Sequence, residues 1–140
     1  MQLNRLIYAS KHNGTEVEIL DRILQSSRSN NIRVGITGAL IIGERHFLQL
    51  LEGERSAVAQ CFMRIMSDNR HHDIQVMSSG DAKYRFFMER SMHRIETSRI
   101  KQEIMSYYCP GEFDPSRMSQ VAVVDLCRTL SAGGWEALAA

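Results

Sequence analysis

The chain has 140 residues, 44% of them hydrophobic and 24% charged, and 17 Lys and Arg against 16 Asp and Glu leave a formal net charge of +1. That is enough apolar material to bury the core of one domain and too much for disorder, and the near-neutral balance excludes a binder driven by charge onto nucleic acid or an anionic membrane. Cys61, Cys109 and Cys127 are odd in number, widely spaced and without a Cys-x-x-Cys, which argues against a disulfide framework or zinc site and for a reducing, cytoplasmic compartment.

Leu3 to Ala9 reads as a strand through Leu3, Leu6 and Ile7, bounded by the polar run Ser10 to Gly14. Thr15 and Glu18 form a capping box that opens a helix with Val17, Leu20, Ile23 and Leu24 at helical spacing. Ile23, Ser27 and Asn31 are steps of four along one face of it. Gly35 to Ile42 is a buried strand, Gly43-Glu44-Arg45 a tight reversal, and His46 to Leu51 the returning strand. Within that strand Gln49 is an amide between two large apolar neighbours, Phe47 and Leu51, on one face. Ser56 to about Asp68 forms a second amphipathic helix with Val58, Phe62, Ile65 and Met66 on one side. Ile74 to Met77 and Met88 to Ile95 are further strands. Ile100, Ile104 and Tyr108 step along a third helix, and Asp114-Pro115 caps a last one that closes at Gly133-Gly134. The order β-α-β-β-α-β-β predicts a ferredoxin-like α+β sheet with two helices on one face over residues 1–96, followed by a C-terminal helical extension over residues 97–140.

The familiar catalytic signatures are missing. There is no Gly-x-Ser-x-Gly and no Walker loop, and Gly35-Ile36-Thr37-Gly38 is too short for a dinucleotide fingerprint. His71 and His72 are adjacent, so they point in different directions and read as solvated side chains, not metal ligands. Arg28, Arg33 and Arg70 form no basic stripe. What stands out is a set of uncharged polar groups on core-facing elements: Tyr8 on a central strand, Asn31 at a helix end and Gln49 inside an apolar strand. A buried amide or phenol without a partner costs about 1–3 kcal/mol. Bonds to backbone or to each other could satisfy any one of them; three converging between the helices suit a polar-edged aromatic ligand.

The stretch Asn31-Ile32-Arg33-Val34-Gly35-Ile36-Thr37-Gly38-Ala39-Leu40, followed by Phe47-Leu48-Gln49-Leu50-Leu51-Glu52-Gly53, resembles the central signature of BLUF domains, blue-light sensors that use FAD. The resemblance covers roughly residues 2 to 96 and implies a function for each matching position. Tyr8, Gln49 and Met92 fall at the photoactive tyrosine, glutamine and late-strand methionine. Ile23 and Ile65 would clamp the two faces of the flavin ring from different helices, with Ser27 a secondary contact. Asn31, which both donates and accepts, suits the alternating edge of the flavin pyrimidine. Arg64 and Asp68 fall at the polar edge and ribityl chain, and His71 near the flavin. By this resemblance, light makes Tyr8 an electron and proton donor through Gln49, which is left rotated or tautomerised so that the flavin absorption shifts to the red. The implied role is signalling without net catalysis, passed to a separate effector such as a phosphodiesterase or transcriptional regulator, with no direct nucleic-acid or membrane contact. The apolar sheet face opposite the flavin and the C-terminal helices are the expected partner or homodimer surfaces. One departure is Arg90, where many members carry tryptophan; the only tryptophan, Trp135, lies in the tail. The competing readings are a ferredoxin-like acyl-phosphate hydrolase using Arg33 and Asn31, and a small-ligand regulatory module without photochemistry.

Overall fold

The structure, a computed structural model, describes residues 2–12, 34–67, 71–88 and 92–138. The first predicted helix, with Ile23, Ser27 and Asn31, lies outside the described residues, as do Asp68 and Arg90. Five strands form one sheet: β1 (Leu3–Lys11), β2 (Thr37–Ile42), β3 (His46–Glu54), β4 (His72–Asp81) and β5 (His93–Glu96), in the order β4-β1-β3-β2-β5. Among the described residues, only the β2–β5 pairing is parallel. Helix α1 (Arg55–Met66) joins β3 to β4, and α2 (Gln102–Tyr108) and α3 (Gln120–Ser131) follow β5. This is the α+β arrangement expected from the order of elements, with a fifth strand at the β2 edge.

The central strand β3 is buried along all but its last residue because both faces of the sheet are covered. On one face Leu6, Tyr8, Leu40, Phe47 and Leu51 pack with Val58 and Cys61 of α1. On the other, Ile7, Ala39, Ile41, Leu48 and Leu50 pack with Val123, Leu126, Cys127 and Leu130 of α3. The sheet face anticipated as a partner or homodimer surface is therefore occupied by the chain's own last helix. The extension is tied down further at its end, where Lys101 donates its amide to the Trp135 carbonyl (2.8 Å) and Ala137 to that of Arg99 (2.9 Å). Trp135 packs against the core on the α3 face. The Tyr108 hydroxyl donates to Asp125 Oδ2 at 2.5 Å, joining α2 to α3.

Three local expectations change. Among the described residues of the predicted Met88–Ile95 strand, His93, Arg94 and Ile95 lie in β5, and Met88 is exposed outside it. Asp114 caps a short 3-10 turn at Pro115–Arg117, accepting from the Ser116 amide, whereas α3 begins later with the Ser119 hydroxyl accepting from the Ala122 amide. Two capping signals stand in series here, and the proline-marked one opens only a single turn. Met66, expected on the buried side of α1, is half exposed.

Burial pushes the Cys127 thiol up to about 12, with the nearby Glu52 charge adding to the effect and Arg5 opposing it. An unfolded thiol ionises near its ordinary value of 9.0, so above that pH the unfolded state sheds a proton that the folded state keeps. The contribution of this group is complete below pH 9.0 and falls as pH rises towards about 12. Urea unfolding at pH 8 and pH 10 is expected to show a loss of stability on the alkaline side that Cys127→Ala reduces.

Candidate functional site

Alternation along the strands places Tyr8, Ser10 and Gln49 on the α1 face, and the register of β1 with β3 sets Tyr8 directly opposite Gln49. The Tyr8 hydroxyl donates to Gln49 Oε1, and both side chains are buried. With its oxygen so engaged, the carboxamide turns its NH2 towards Met92 Sδ, 3.4 Å away. A thioether is a weak acceptor, and an NH2 group has two hydrogens to give. Gln49 thus keeps a spare donor in a buried place, which suits a ligand edge carrying a carbonyl.

Met92 does not lie on the strand beside Gln49, as the sequence suggests. It precedes β5, and β2 stands between β5 and β3. The methionine, 3% exposed, nevertheless reaches the Gln49 amide.

His71 is not the solvated side chain expected from its position beside His72. One ring nitrogen, Nδ1, is 2.8 Å from Ser10 Oγ and the other, Nε2, 2.9 Å from the Ile65 carbonyl. The ring centroids of His71 and Tyr8 are 6.1 Å apart, and Phe62 of α1 approaches Tyr8 at 5.4 Å. His72 is exposed. Ile65 is half-buried against the same face, and Arg64 is exposed on α1. Burial raises the Cys61 thiol above its ordinary value, and the Arg64 guanidinium beside it opposes that rise. Tyr8, Gln49, Met92, Ile65 and His71 are therefore brought to one side of the sheet, whereas Ile23, Ser27, Asn31 and Asp68 lie outside the described residues.

Sequence reasoning passed over Ser10, read as part of a bounding polar run; its two-residue step from Tyr8 is the signal that puts it on the same face. It also gave no separate task to Glu52. That carboxylate is fully buried on the opposite face, accepting from Arg5 Nε at 2.9 Å, from the Phe86 amide at 2.9 and 3.0 Å, and from the Phe87 amide at 3.1 Å. Among the described residues, no three His, Cys, Asp or Glu side chains converge as a metal-ligand set, and no helix is long and apolar enough to cross a membrane.

The five-stranded α+β sheet has counterparts among known proteins. The family model described as "BLUF: Sensors of blue-light using FAD" matches residues 3–93. The chain belongs to the BLUF family of flavin-binding blue-light sensors. It is 31% identical over 91 residues to the "Blue light- and temperature-regulated antirepressor BluF" of Escherichia coli (strain K12), a match spanning 64% of this chain and 23% of that protein. Its structure resembles that of BlsA in the photo-activated state, with a TM-score of 0.82 and 25% identity over 97% of this chain and 99% of the other. It also resembles dark-state BlrB, with a TM-score of 0.77 and 30% identity over 94% and 96% of the two chains. The chain thus spans less than a quarter of the curated E. coli relative but nearly all of these two solved structures.

Proposed function

We propose that this chain is a photoreceptor in which Tyr8 and Gln49 convert absorbed blue light into a changed hydrogen-bond pattern, without net catalysis. The observation that carries this reading is the buried chain from the Tyr8 hydroxyl to Gln49 Oε1 and from Gln49 Nε2 to Met92 Sδ. FAD, the cofactor in the family description, supplies the blue absorption and an excited-state electron acceptor. Tyr8 would give up an electron and, along the hydrogen bond already formed to Gln49, a proton, and would take both back, so that nothing is oxidised or reduced overall. Gln49 answers by rotating or tautomerising, which exchanges donor for acceptor without moving a net charge. On rotation Met92 would lose the amide hydrogen it now faces. Ile65 and His71 line the same space, and Ile23, Ser27, Asn31, Arg64 and Asp68 are proposed to complete the cofactor contacts.

Residues 1–96 are proposed as the sensing unit and residues 97–140 as the extension that carries the change outward. The recipient is proposed to be a separate effector, in keeping with the antirepressor named among the relatives; a phosphodiesterase or transcriptional regulator would serve equally, and self-association would run through the exposed side of the extension. The purified protein is expected to be yellow, and blue illumination to shift its absorption reversibly to the red. A colourless protein that stays apo after added FAD would overturn the reading in favour of a hydrolase or a non-photochemical ligand module.

A further inference from the structure

Glu52 belongs to the signature around Gln49, yet it faces away from the phenol–carboxamide pair. A fully buried carboxylate is costly unless its charge is matched by donors, and here every donor but Arg5 comes from one segment. Arg5 Nε and the backbone amides of Phe86 and Phe87 all point at it. Arg5 also donates to the Tyr84 carbonyl at 2.7 Å, and its guanidinium lies 3.6 Å from the centre of the Phe86 ring. Arg85 grips the same segment from the other side, donating through Nη1 to the Gly35 carbonyl (2.9 Å), to Thr37 Oγ1 (2.7 Å) and to the Glu52 carbonyl (3.1 Å). Residues 84–87 are thus fastened to β3 and the start of β2 just before the chain runs on to Met92.

We propose that Glu52 is a positioning residue: by anchoring residues 84–87 to β3 it holds Met92 against Gln49. The proposal rests on the photochemical reading of Gln49 and assigns what sets its partner in place. β3 carries both ends of the device, with the responsive amide on one face and the anchor three residues on, on the other. The position requires an acceptor with two oxygens, because Arg5 and two adjacent amides approach it together. In Glu52→Gln one oxygen becomes an NH2 group that sets donor against donor, so the segment must shift. The anchor also adjoins the extension, since Arg128 of α3 lies 5.4 Å from the Phe86 ring centre and the Glu52 charge is felt at Cys127.

The test is a double-mutant cycle on the flavin-loaded full chain, reading the dark-recovery rate after a blue pulse. Glu52→Gln is expected to keep its flavin and change that rate by about threefold or more, as residues coupled through a shared backbone shift do. In a Met92→Ala background the same change is expected to have no further effect, because the side chain it positions is gone. A general loss of packing would act in both backgrounds. Recovery at the wild-type rate in Glu52→Gln, or independent effects of the two substitutions, would overturn the assignment. If Glu52→Gln does not fold, Arg85→Met enters the cycle, since its half-buried side chain holds the same segment and the same non-additivity with Met92 is expected. A wild type that binds flavin and shows no light-induced shift would defeat the photochemical reading and this proposal together. A wild type that photocycles beside an indifferent Glu52→Gln would defeat this proposal alone.

Discussion

Tyr8→Phe is expected to bind flavin as the wild type does and to lose the light-induced red shift. The substitution removes one oxygen and leaves a ring of nearly the same volume against Phe62 and His71, so the wall of the site survives. It also removes the proton that Tyr8 donates to Gln49 Oε1 and leaves that buried oxygen without its donor, a loss of about 1–3 kcal/mol in stability. Gln49→Leu attacks the other end of the same bond. It replaces the carboxamide by an apolar group that can neither accept from Tyr8 nor face Met92, and it too is expected to keep flavin without the shift. Difference spectra recorded before and after a blue pulse check both. Normal photocycling in Gln49→Leu would remove the carboxamide from the mechanism, however similar the fold.

Gly38→Ala is expected to destabilise the protein by about 3 kcal/mol or more. A Cβ built on Gly38 would lie 1.9 Å from the Leu50 carbonyl oxygen, a backbone atom of the paired central strand that cannot move without breaking the β2–β3 ladder. The backbone there, at φ +154°, is also one that side-chain-bearing residues rarely adopt. A domain of this size typically has a total stability of roughly 5–15 kcal/mol, so the variant should unfold at a markedly lower urea concentration. A midpoint equal to the wild type's would show that β2 and β3 are not packed this closely. The result bears on how the signature is read: Gly38 allows two strand backbones to approach, and a Cβ on Gly53 would come within 2.8 Å of Ile36 Cδ1. Part of a sequence pattern that looks like a cofactor motif is therefore sheet construction.

The two electrostatic features that bear on the site have different origins. Tyr8 and Gln49 are uncharged, so the hydrogen bond between them costs no charge burial. Glu52 is charged and held by three donor groups, so it is suited to stay still. The proposed responsive pair and the proposed anchor, on opposite faces of one strand, call for opposite chemistry.

Local periodicity alone determined much of this protein. The order of elements set Tyr8 on a central strand, and a period of two set Gln49 among apolar neighbours and marked the amide as anomalous before any partner was in view. Helical spacing located α1, α2 and the last helix, because amphipathic patterns depend only on residues a few positions apart. What only the tertiary structure decided involves groups far apart in the chain. These are the bond from Tyr8 to Gln49, the reach of Met92 across β2, the turning of His71 between Ser10 and the Ile65 carbonyl, and the four hydrogen bonds onto Glu52. The last helix shows the same division, since its presence was legible but its buried face was not: Met118, Val121, Val124 and Leu130 suggested the stripe, whereas Val123, Leu126, Cys127 and Leu130 are buried and Val121 is exposed. Hydrophobic burial is non-directional, and a stripe of Val123, Leu126 and Leu130 fits any apolar face of the right size. Strand register and chain connectivity, which no local window contains, chose the face opposite Tyr8.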